Sequence, residues 1–255
     1  MLTFIKYGSG PIVWLAFHGI GQDSSCFDPF AQKLAQTHTI YSIDLPFHGK
    51  SRHTNWPAII TIPYWQSLLT DFTAQHQIDR FSVIGFSIGG RFALVTTEAF
   101  ATRVDEVLLL APDGVTDDPW FRLGTSTSVG RALLRFFLRN TGFILALGRG
   151  FVRLGLLNDA LLRFVEATMQ TPDQREQIYR SWTGFRKLGV SIPHFATVIA
   201  EHGIRVRLFL GLYDAVLPRQ QTRPLETALP TCDVIVLPTG HTSLVRRVST
   251  QLQID

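Results

Sequence analysis

Residues 81–90 have the sequence FSVIGFSIGG, and this stretch decides the fold. Its first six residues form a mostly apolar run of strand length, and a helical stretch follows from Arg91 to Phe100. Between the two lies Ser87, on a tight turn with a glycine two residues away on either side. A nucleophilic serine on a strand-to-helix turn needs such small neighbours, because the turn forces unusual backbone angles and close approach of adjacent elements. The stretch therefore predicts an α/β fold and a candidate nucleophile.

The same alternation of strand and helix continues on both sides of this stretch. Short apolar runs typical of buried strands occur at Ile12–Phe17, Thr39–Leu45, Phe81–Phe86, Val104–Ala111, Val206–Leu210 and Val234–Leu237. Segments of helical character lie between them at Phe30–Gln36, Tyr64–His76 and Arg91–Phe100. Strands that alternate with helices predict an α/β domain with a mostly parallel sheet.

The alternation stops between residues 115 and 200, where apolar helical segments are broken by glycines. We interpret this region as a helical insertion and expect the sheet to resume at Ile204. The predicted organisation is a core of residues 1–114 and 201–255 with a helical cap, or lid, of residues 115–200.

Composition excludes several classes of protein. The 255 residues are 45% hydrophobic and 17% charged, which supplies a sizeable core and excludes disorder. No apolar run approaches the roughly 18 to 20 residues of a membrane span, and the first ten residues lack the features of a signal peptide, so we expect a cytoplasmic protein. The two cysteines, Cys26 and Cys232, have neither disulfide-framework nor zinc-site spacing.

The net charge of +4 is unevenly distributed. Residues 115–200 hold 11 Lys and Arg against 6 Asp and Glu, a net +5, and the rest of the chain is at −1. No basic run is interleaved with stacking aromatics, which argues against nucleic-acid binding. Arg131, Arg135 and Arg139 form a stripe at helical spacing, which we interpret as a solvated helix face, with a role near an anionic substrate or contact with a membrane surface as alternatives.

A serine nucleophile needs a base that is itself oriented by an acid. Asp214 follows the strand Val206–Leu210, and His241 follows the strand Val234–Leu237. The chain order Ser, Asp, His is the hydrolase order. We therefore predict Ser87, Asp214 and His241 as a catalytic triad, with Asp113, which also follows a strand, as the alternative acid.

Ester chemistry also requires two N–H donors for the oxyanion of the intermediate. The residue after the nucleophile supplies one, which predicts the backbone N–H of Ile88. The turn after the first buried strand supplies the other, for which we choose the backbone N–H of Ile20.

The remaining polar residues of these loops are predicted to be structural. We expect Asp44 and His48 to buttress the site and His18 to be a hydrogen-bonded loop residue. The other histidines lack metal-ligand spacing, so no metal site is expected.

These motifs together resemble the α/β-hydrolase superfamily, most closely its capped, esterase-like members. The resemblance rests on Phe17–Gln22, Asp44–Ser51, Gly85–Gly90, Gly211–Pro218 and Gly240–His241. It implies an eight-stranded, mostly parallel sheet, a helical lid after the sixth strand and no required cofactor. Phe47 stands where the family usually has glycine, which leaves the catalytic set untouched. A serine at position 87 disfavours the branches with an aspartate nucleophile.

The sequence therefore predicts a serine hydrolase that cleaves a carboxylic ester of small to medium, partly apolar character through an acyl-enzyme. The alternatives are the same triad acting on a carboxylate-bearing substrate (carbon–carbon bond hydrolysis, or an elimination in quinone biosynthesis), a non-catalytic receptor for a small ligand, and a peripheral membrane lipase. We expect a small ester-like molecule as ligand, no nucleic acid, no stable membrane insertion, and a monomer or homodimer.

Overall fold

The computed structural model describes residues 2–116 and 119–252. Residues 1 and 253–255 of the predicted core and residues 117 and 118 of the predicted cap lie outside these ranges.

Strands and helices alternate along the described chain. The strands are β1 (Phe4–Tyr7), β2 (Ile12–Phe17), β3 (His38–Ile43), β4 (Phe81–Phe86), β5 (Val104–Leu110), β6 (Arg205–Gly211) and β7 (Asp233–Leu237). The helices are α1 (Asp28–Leu34), α2 (Ile62–Gln75), α3 (Ile88–Ala99), α4 (Pro119–Ser126), α5 (Ser128–Arg139), α6 (Thr141–Arg153), α7 (Asp159–Thr168), α8 (Pro172–Gly184), α9 (Ile192–His202), α10 (Arg223–Ala228) and α11 (Leu244–Gln251).

The strands form one sheet in the order β1-β3-β2-β4-β5-β6-β7. Among the strands that the structure describes, β1 alone runs antiparallel, with Phe4 opposite Ile43 of β3. The other neighbours pair in parallel, so the carboxyl ends of β2 to β7 lie along one edge. In an α/β sheet this is the edge at which functional groups collect.

The predicted mostly parallel α/β sheet is confirmed, but the expected number of eight strands is wrong. The described residues form seven strands. One strand, β1, precedes β2, and it pairs with β3 alone at the sheet edge. The helical region expected after the sixth strand consequently follows β5, the fifth in chain order.

The sheet is buried on both faces. In β2, Leu15 and Phe17 pack into one hydrophobic cluster. Their neighbours Trp14 and Ala16 pack into the other. Successive side chains of a strand point to opposite faces, so a strand covered on both sides must be apolar throughout. This is why the apolar runs identified the strands.

Between β5 and β6 the described residues form six helices, α4 to α9, which we call the helical segment (residues 119–202). Its arginine stripe lies at the surface, with Arg135 and Arg139 exposed and Arg131 partly buried, and two of its members also contact neighbouring helices. Arg131 donates to the Thr125 and Ser126 carbonyls, and the Arg135 guanidinium lies 4.2 Å from the centre of the Tyr179 ring on α8. The third member, Arg139, is exposed.

No helix within the described parts of the chain combines the length and apolar character needed to cross a bilayer.

Candidate active site

Ser87 lies between β4 and α3 in a backbone conformation that residues other than glycine rarely adopt. Its φ is 53° and its ψ is −121°. A non-glycine residue in such a region costs about 1–3 kcal/mol and persists only where its surroundings impose it. Here the Ser87 N–H donates to Leu110, and the Ser87 carbonyl accepts from the N–H groups of Gly90 and Asp113. The strand-to-helix turn predicted from the sequence is present.

The glycines beside Ser87 permit this turn because their neighbours leave no room for a side chain. A Cβ at Gly89 would lie 2.0 Å from the Phe17 carbonyl oxygen, and one at Gly85 would lie 2.5 Å from the Gly89 carbonyl oxygen. The carboxyl end of β2 is thereby packed directly against the first turn of α3.

Gly89→Ala is expected to lower the free energy of unfolding by about 3 kcal/mol, since the new methyl group must displace backbone. Urea denaturation measures the change. The matched control is Gly150→Ala in α6, where nothing lies within 4 Å of an added Cβ. That variant should gain about 0.5–1 kcal/mol from helix propensity. A Gly89→Ala protein as stable as the wild type would contradict the tight packing of this turn.

The structure brings Ser87, His241 and Asp214 together. His241 Nε2 lies 3.0 Å from Ser87 Oγ, and His241 Nδ1 lies 2.7 Å from Asp214 Oδ2. A carboxylate only accepts hydrogen bonds, so Nδ1 carries the proton and Nε2 accepts from the serine hydroxyl. All three residues are buried, although 154 positions separate Ser87 from His241 in the chain.

Each partner of Ser87 is held by its own loop. The other carboxylate oxygen of Asp214, Oδ1, accepts from the N–H groups of Val216 and Leu217 at 2.9 and 2.8 Å. The imidazole of His241 contacts the rings of Phe86 and Phe164, with centroid distances of 4.9 and 5.6 Å. The His241 imidazole is therefore fixed by hydrogen bonding on one side and by aromatic packing on the other.

Asp113, the alternative acid, has a different partner. Its two carboxylate oxygens each accept from Arg91, at 3.1 Å from Nε and 3.1 Å from Nη2. Arg91 also donates to the Leu188 carbonyl at 2.8 Å. This bidentate ion pair occupies the Asp113 carboxylate, whereas the Asp214 carboxylate contacts the imidazole.

A cavity of about 220 Å³ opens beside Ser87. Ile20 and Ile88, the residues predicted to supply oxyanion donors, both line it. Ile88 is the first residue of α3, where backbone N–H groups have no partner within the helix. The two predicted donor segments therefore meet at the serine, and their role stays a prediction.

Sequence reasoning missed two contributions to this cavity. Arg91 lines the cavity from α3. The sequence held a signal for this position, because Arg91 is four residues after Ser87 and residues four apart in a helix share a face. Phe121, Phe164 and Trp182 line it from the helical segment. Their positions had no sequence signal, since they depend on how helices far apart in the chain pack.

The loop after β3 holds Asp44 and adjoins His18, and both side chains are engaged in local hydrogen bonds. Asp44 accepts hydrogen bonds from the N–H groups of Ser24 and Lys50 and from the Thr3 hydroxyl. His18 is fully buried and accepts from the Leu45 N–H through Nε2, and burial lowers its pKa. Both residues are engaged as loop supports.

His48 is the other buried histidine of this region. Its Nδ1 lies 3.0 Å from the Pro46 carbonyl, and its Nε2 has no hydrogen-bond partner among the residues that the structure describes. Burial, with smaller contributions from His18 and Arg52, lowers the pKa of His48 to about 3. The folded protein therefore holds this ring neutral, whereas the unfolded chain protonates it near its ordinary pKa of 6.5.

This difference in pKa predicts acid sensitivity. Between pH 6.5 and about 3 the unfolded chain binds one more proton than the folded protein at His48. The contribution of His48 to the free energy of unfolding is complete above pH 6.5. It is lost as the pH falls, by up to about 1.4 kcal/mol per pH unit. Urea midpoints at pH 7 and pH 5 should therefore differ less for His48→Gln than for the wild type. The exposed His53→Gln is the control, and an equal pH dependence in all three proteins would refute the assignment.

Within the described residues, no group of three or more His, Cys, Asp or Glu side chains is placed to hold a metal ion.

Comparison with known proteins agrees with this architecture. A model of the alpha/beta hydrolase family matches residues 12–248. An uncharacterized protein of Mycobacterium tuberculosis is 28% identical over 234 residues, which make up 88% of this chain and 67% of that protein.

Solved structures share the fold at low sequence identity. A thermophilic esterase from Thermogutta terrifontis superposes with a TM-score of 0.73 at 17% identity, over 98% of this chain and 90% of that one. An enol-lactonase from Burkholderia xenovorans gives a TM-score of 0.68 at 18% identity, over 98% of this chain and 93% of that one.

Proposed function

The chain belongs to the alpha/beta hydrolase family, and we propose that it is a serine hydrolase that cleaves a carboxylic ester through an acyl-enzyme intermediate. The single observation that carries the proposal is the buried hydrogen-bonded series Asp214, His241 and Ser87, with links of 2.7 and 3.0 Å. A serine hydroxyl in contact with an oriented imidazole is the arrangement that makes this weak nucleophile reactive.

In the first half of the reaction, Ser87 Oγ attacks the ester carbonyl while His241 Nε2 accepts the hydroxyl proton. Asp214 holds the imidazole in the required tautomer and stabilises its positive charge. The backbone N–H groups of Ile20 and Ile88 receive the negative oxygen of the tetrahedral intermediate. The carbon–oxygen bond to the alcohol then breaks, and the alcohol leaves with the proton from His241.

Water completes the cycle by the same route. His241 takes a proton from a water molecule, which attacks the acyl group on Ser87. The bond to Oγ breaks, the serine regains its proton from His241, and the carboxylic acid leaves. One ester and one water give one acid and one alcohol, with no further reactant.

The cavity suggests the size and polarity of the substrate. Its volume of about 220 Å³ lies below the roughly 300–1,000 Å³ of typical ligand pockets. Phe121, Phe164 and Trp182 supply apolar surface from the helical segment, which acts in this proposal as the cap. These features favour a small to medium, partly apolar ester.

A second candidate has one observation in its favour. Arg91 brings a guanidinium to the cavity, which suits a substrate that carries a carboxylate and reacts by carbon–carbon bond hydrolysis or elimination. The sequence suggested that an arginine of the cap would play this part, but among the described residues the arginine at the cavity comes from α3. Its pairing with Asp113 neutralises much of its charge, which is why the ester is preferred.

A fluorophosphonate probe and a series of nitrophenyl esters from acetate to decanoate test the proposal. We expect the probe to attach to Ser87, located by peptide mass spectrometry, and turnover to peak at a short or medium acyl chain. Labelling of Ser87 without turnover of any ester would favour the carboxylate-bearing substrate. A chain that neither labels nor turns over esters would refute the proposal and favour a non-catalytic receptor.

A further inference from the structure

Helices α5 and α6 present an apolar stripe to solvent. On α5 the stripe consists of Val129, Leu133, Phe136 and Phe137, and on α6 it consists of Phe143, Leu147 and Phe151, continued by Leu154 at the C-cap. These positions recur every three or four residues, so each set occupies one helix face. The side chains are 46–72% exposed. Ten of the fifteen exposed large hydrophobic residues that the structure describes lie between Leu123 and Leu156, which distinguishes this surface from ordinary scatter.

The face of α5 that meets the protein is narrow, with Leu138 as the one buried side chain of the helix and polar contacts beside it. Arg135 packs over the Tyr179 ring and lies 3.7 Å from Glu176, both on α8, and Arg131 donates to carbonyls at the end of α4. An amphipathic helix normally buries its apolar face against the protein. Here Leu138 and the polar contacts beside it hold the helix with its larger apolar stripe outward, which implies an apolar occupant outside the described protein.

Charge identifies the kind of occupant. Residues 119–158 contain six arginines and no aspartate or glutamate. Arg139 and Arg153 are exposed and have no ion-pair partner among the residues that the structure describes. A second copy docked through the same face would bring two such basic surfaces together, which like-charge repulsion opposes. The surface complements one that is apolar and negatively charged.

We propose that α5 and α6 dock this protein on membrane surfaces that contain anionic phospholipid, with the apolar stripe at the headgroup boundary and the arginines at lipid phosphates. Apolar side chains with phenylalanine and leucine beside arginines are the signature of helices that lie in the membrane interface. The helices have 12 and 13 residues, well short of the roughly 20 needed to span a bilayer, so the contact is peripheral.

Vesicle co-sedimentation tests this docking independently of catalysis. The probes are vesicles of phosphatidylcholine alone and vesicles with equal parts of phosphatidylglycerol. We expect the wild type to sediment with the anionic vesicles and to be released by added salt. Each arginine near such a surface contributes about fivefold in affinity, so Arg139→Gln with Arg153→Gln should weaken binding by more than about tenfold. Arg246→Gln with Arg247→Gln, two exposed charges on α11, is the matched control and should bind like the wild type.

The apolar stripe has its own pair of variants. Phe136→Ser with Phe143→Ser should abolish sedimentation, whereas Tyr64→Ser, an exposed aromatic on α2, should not. All seven side chains replaced in these variants are exposed, and circular dichroism verifies that each variant is folded. Failure of the wild type to sediment with anionic vesicles, or sedimentation of the stripe variant at the wild-type level, would overturn the proposal. A wild-type mass of two chains by light scattering that falls to one in the stripe variant would assign the surface to a second copy instead.

Discussion

Replacing Ser87 by alanine is expected to lower kcat for ester hydrolysis by about 10⁶, the loss typical when a nucleophilic serine or its base is removed. The hydroxyl is the atom that forms the covalent intermediate, and no other hydroxyl among the described residues lies against His241 Nε2. Fluorophosphonate labelling should vanish with the activity. The substitution removes one oxygen from a buried site, so the fold should be retained.

Ser82→Ala is the matched control, because Ser82 is also buried and lies on β4, five residues before Ser87. It should label and turn over ester like the wild type. The expected pattern is contradicted if Ser87→Ala keeps more than about one thousandth of the wild-type kcat, because binding and oxyanion donors alone sustain only about 10³–10⁴-fold catalysis over the reaction in water. Mass spectrometry of any residual adduct would then identify the true nucleophile.

Asp214→Asn is expected to lower kcat by about 10⁴ while leaving the fold intact. The Val216 and Leu217 N–H groups donate to Oδ1, so they hold the amide oxygen of the asparagine in that position. Its NH₂ group then faces His241 Nδ1 and donates to it. The imidazole proton moves to Nε2, which can no longer accept the proton of Ser87.

The comparison with Asp113→Asn separates the two candidate acids. Asp113 pairs with Arg91 and not with His241, so its variant should lose far less activity than Asp214→Asn. Stopped-flow measurement of acylation on both variants decides the matter. A larger loss for Asp113→Asn would transfer the role of the acid to that residue.

The sheet was predictable because its strands are buried on both faces. The apolar runs Ile12–Phe17 and Phe81–Phe86 match β2 and β4 residue for residue, and the other predicted strands agree to within two residues. The edge strand was harder, since β1 has only one neighbour and its residues are not fully buried. The eighth strand was expected from resemblance alone, and no residue pattern supported it.

Within the site, the position of Ser87, Asp214 and His241 just after predicted strands was enough to predict that these three side chains would lie close together. Each lies at the carboxyl end of a parallel strand, so proximity along the sheet edge follows from topology. The partner of Asp113 was not predictable, because it depends on the direction in which the Arg91 side chain extends. The exposure of the apolar side chains of α5 was not predictable for a related reason: periodicity defines the faces of α5 but not which of them meets α8.

The neighbouring strands β5 and β6 have a consequence for how this molecule can evolve. Leu110 pairs with Phe209, although the whole helical segment lies between them in the chain. The free energy of closing such a loop grows slowly, by about 0.6 kcal/mol for each doubling of its length. Insertions within the exposed helices α5 and α6 should therefore be tolerated by the sheet. Phe185, Leu188 and Phe195 of the same segment belong to the buried core, so changes at those positions should not be. Mutations in α5 and α6 could then change the proposed membrane docking while leaving Ser87, Asp214 and His241 in place.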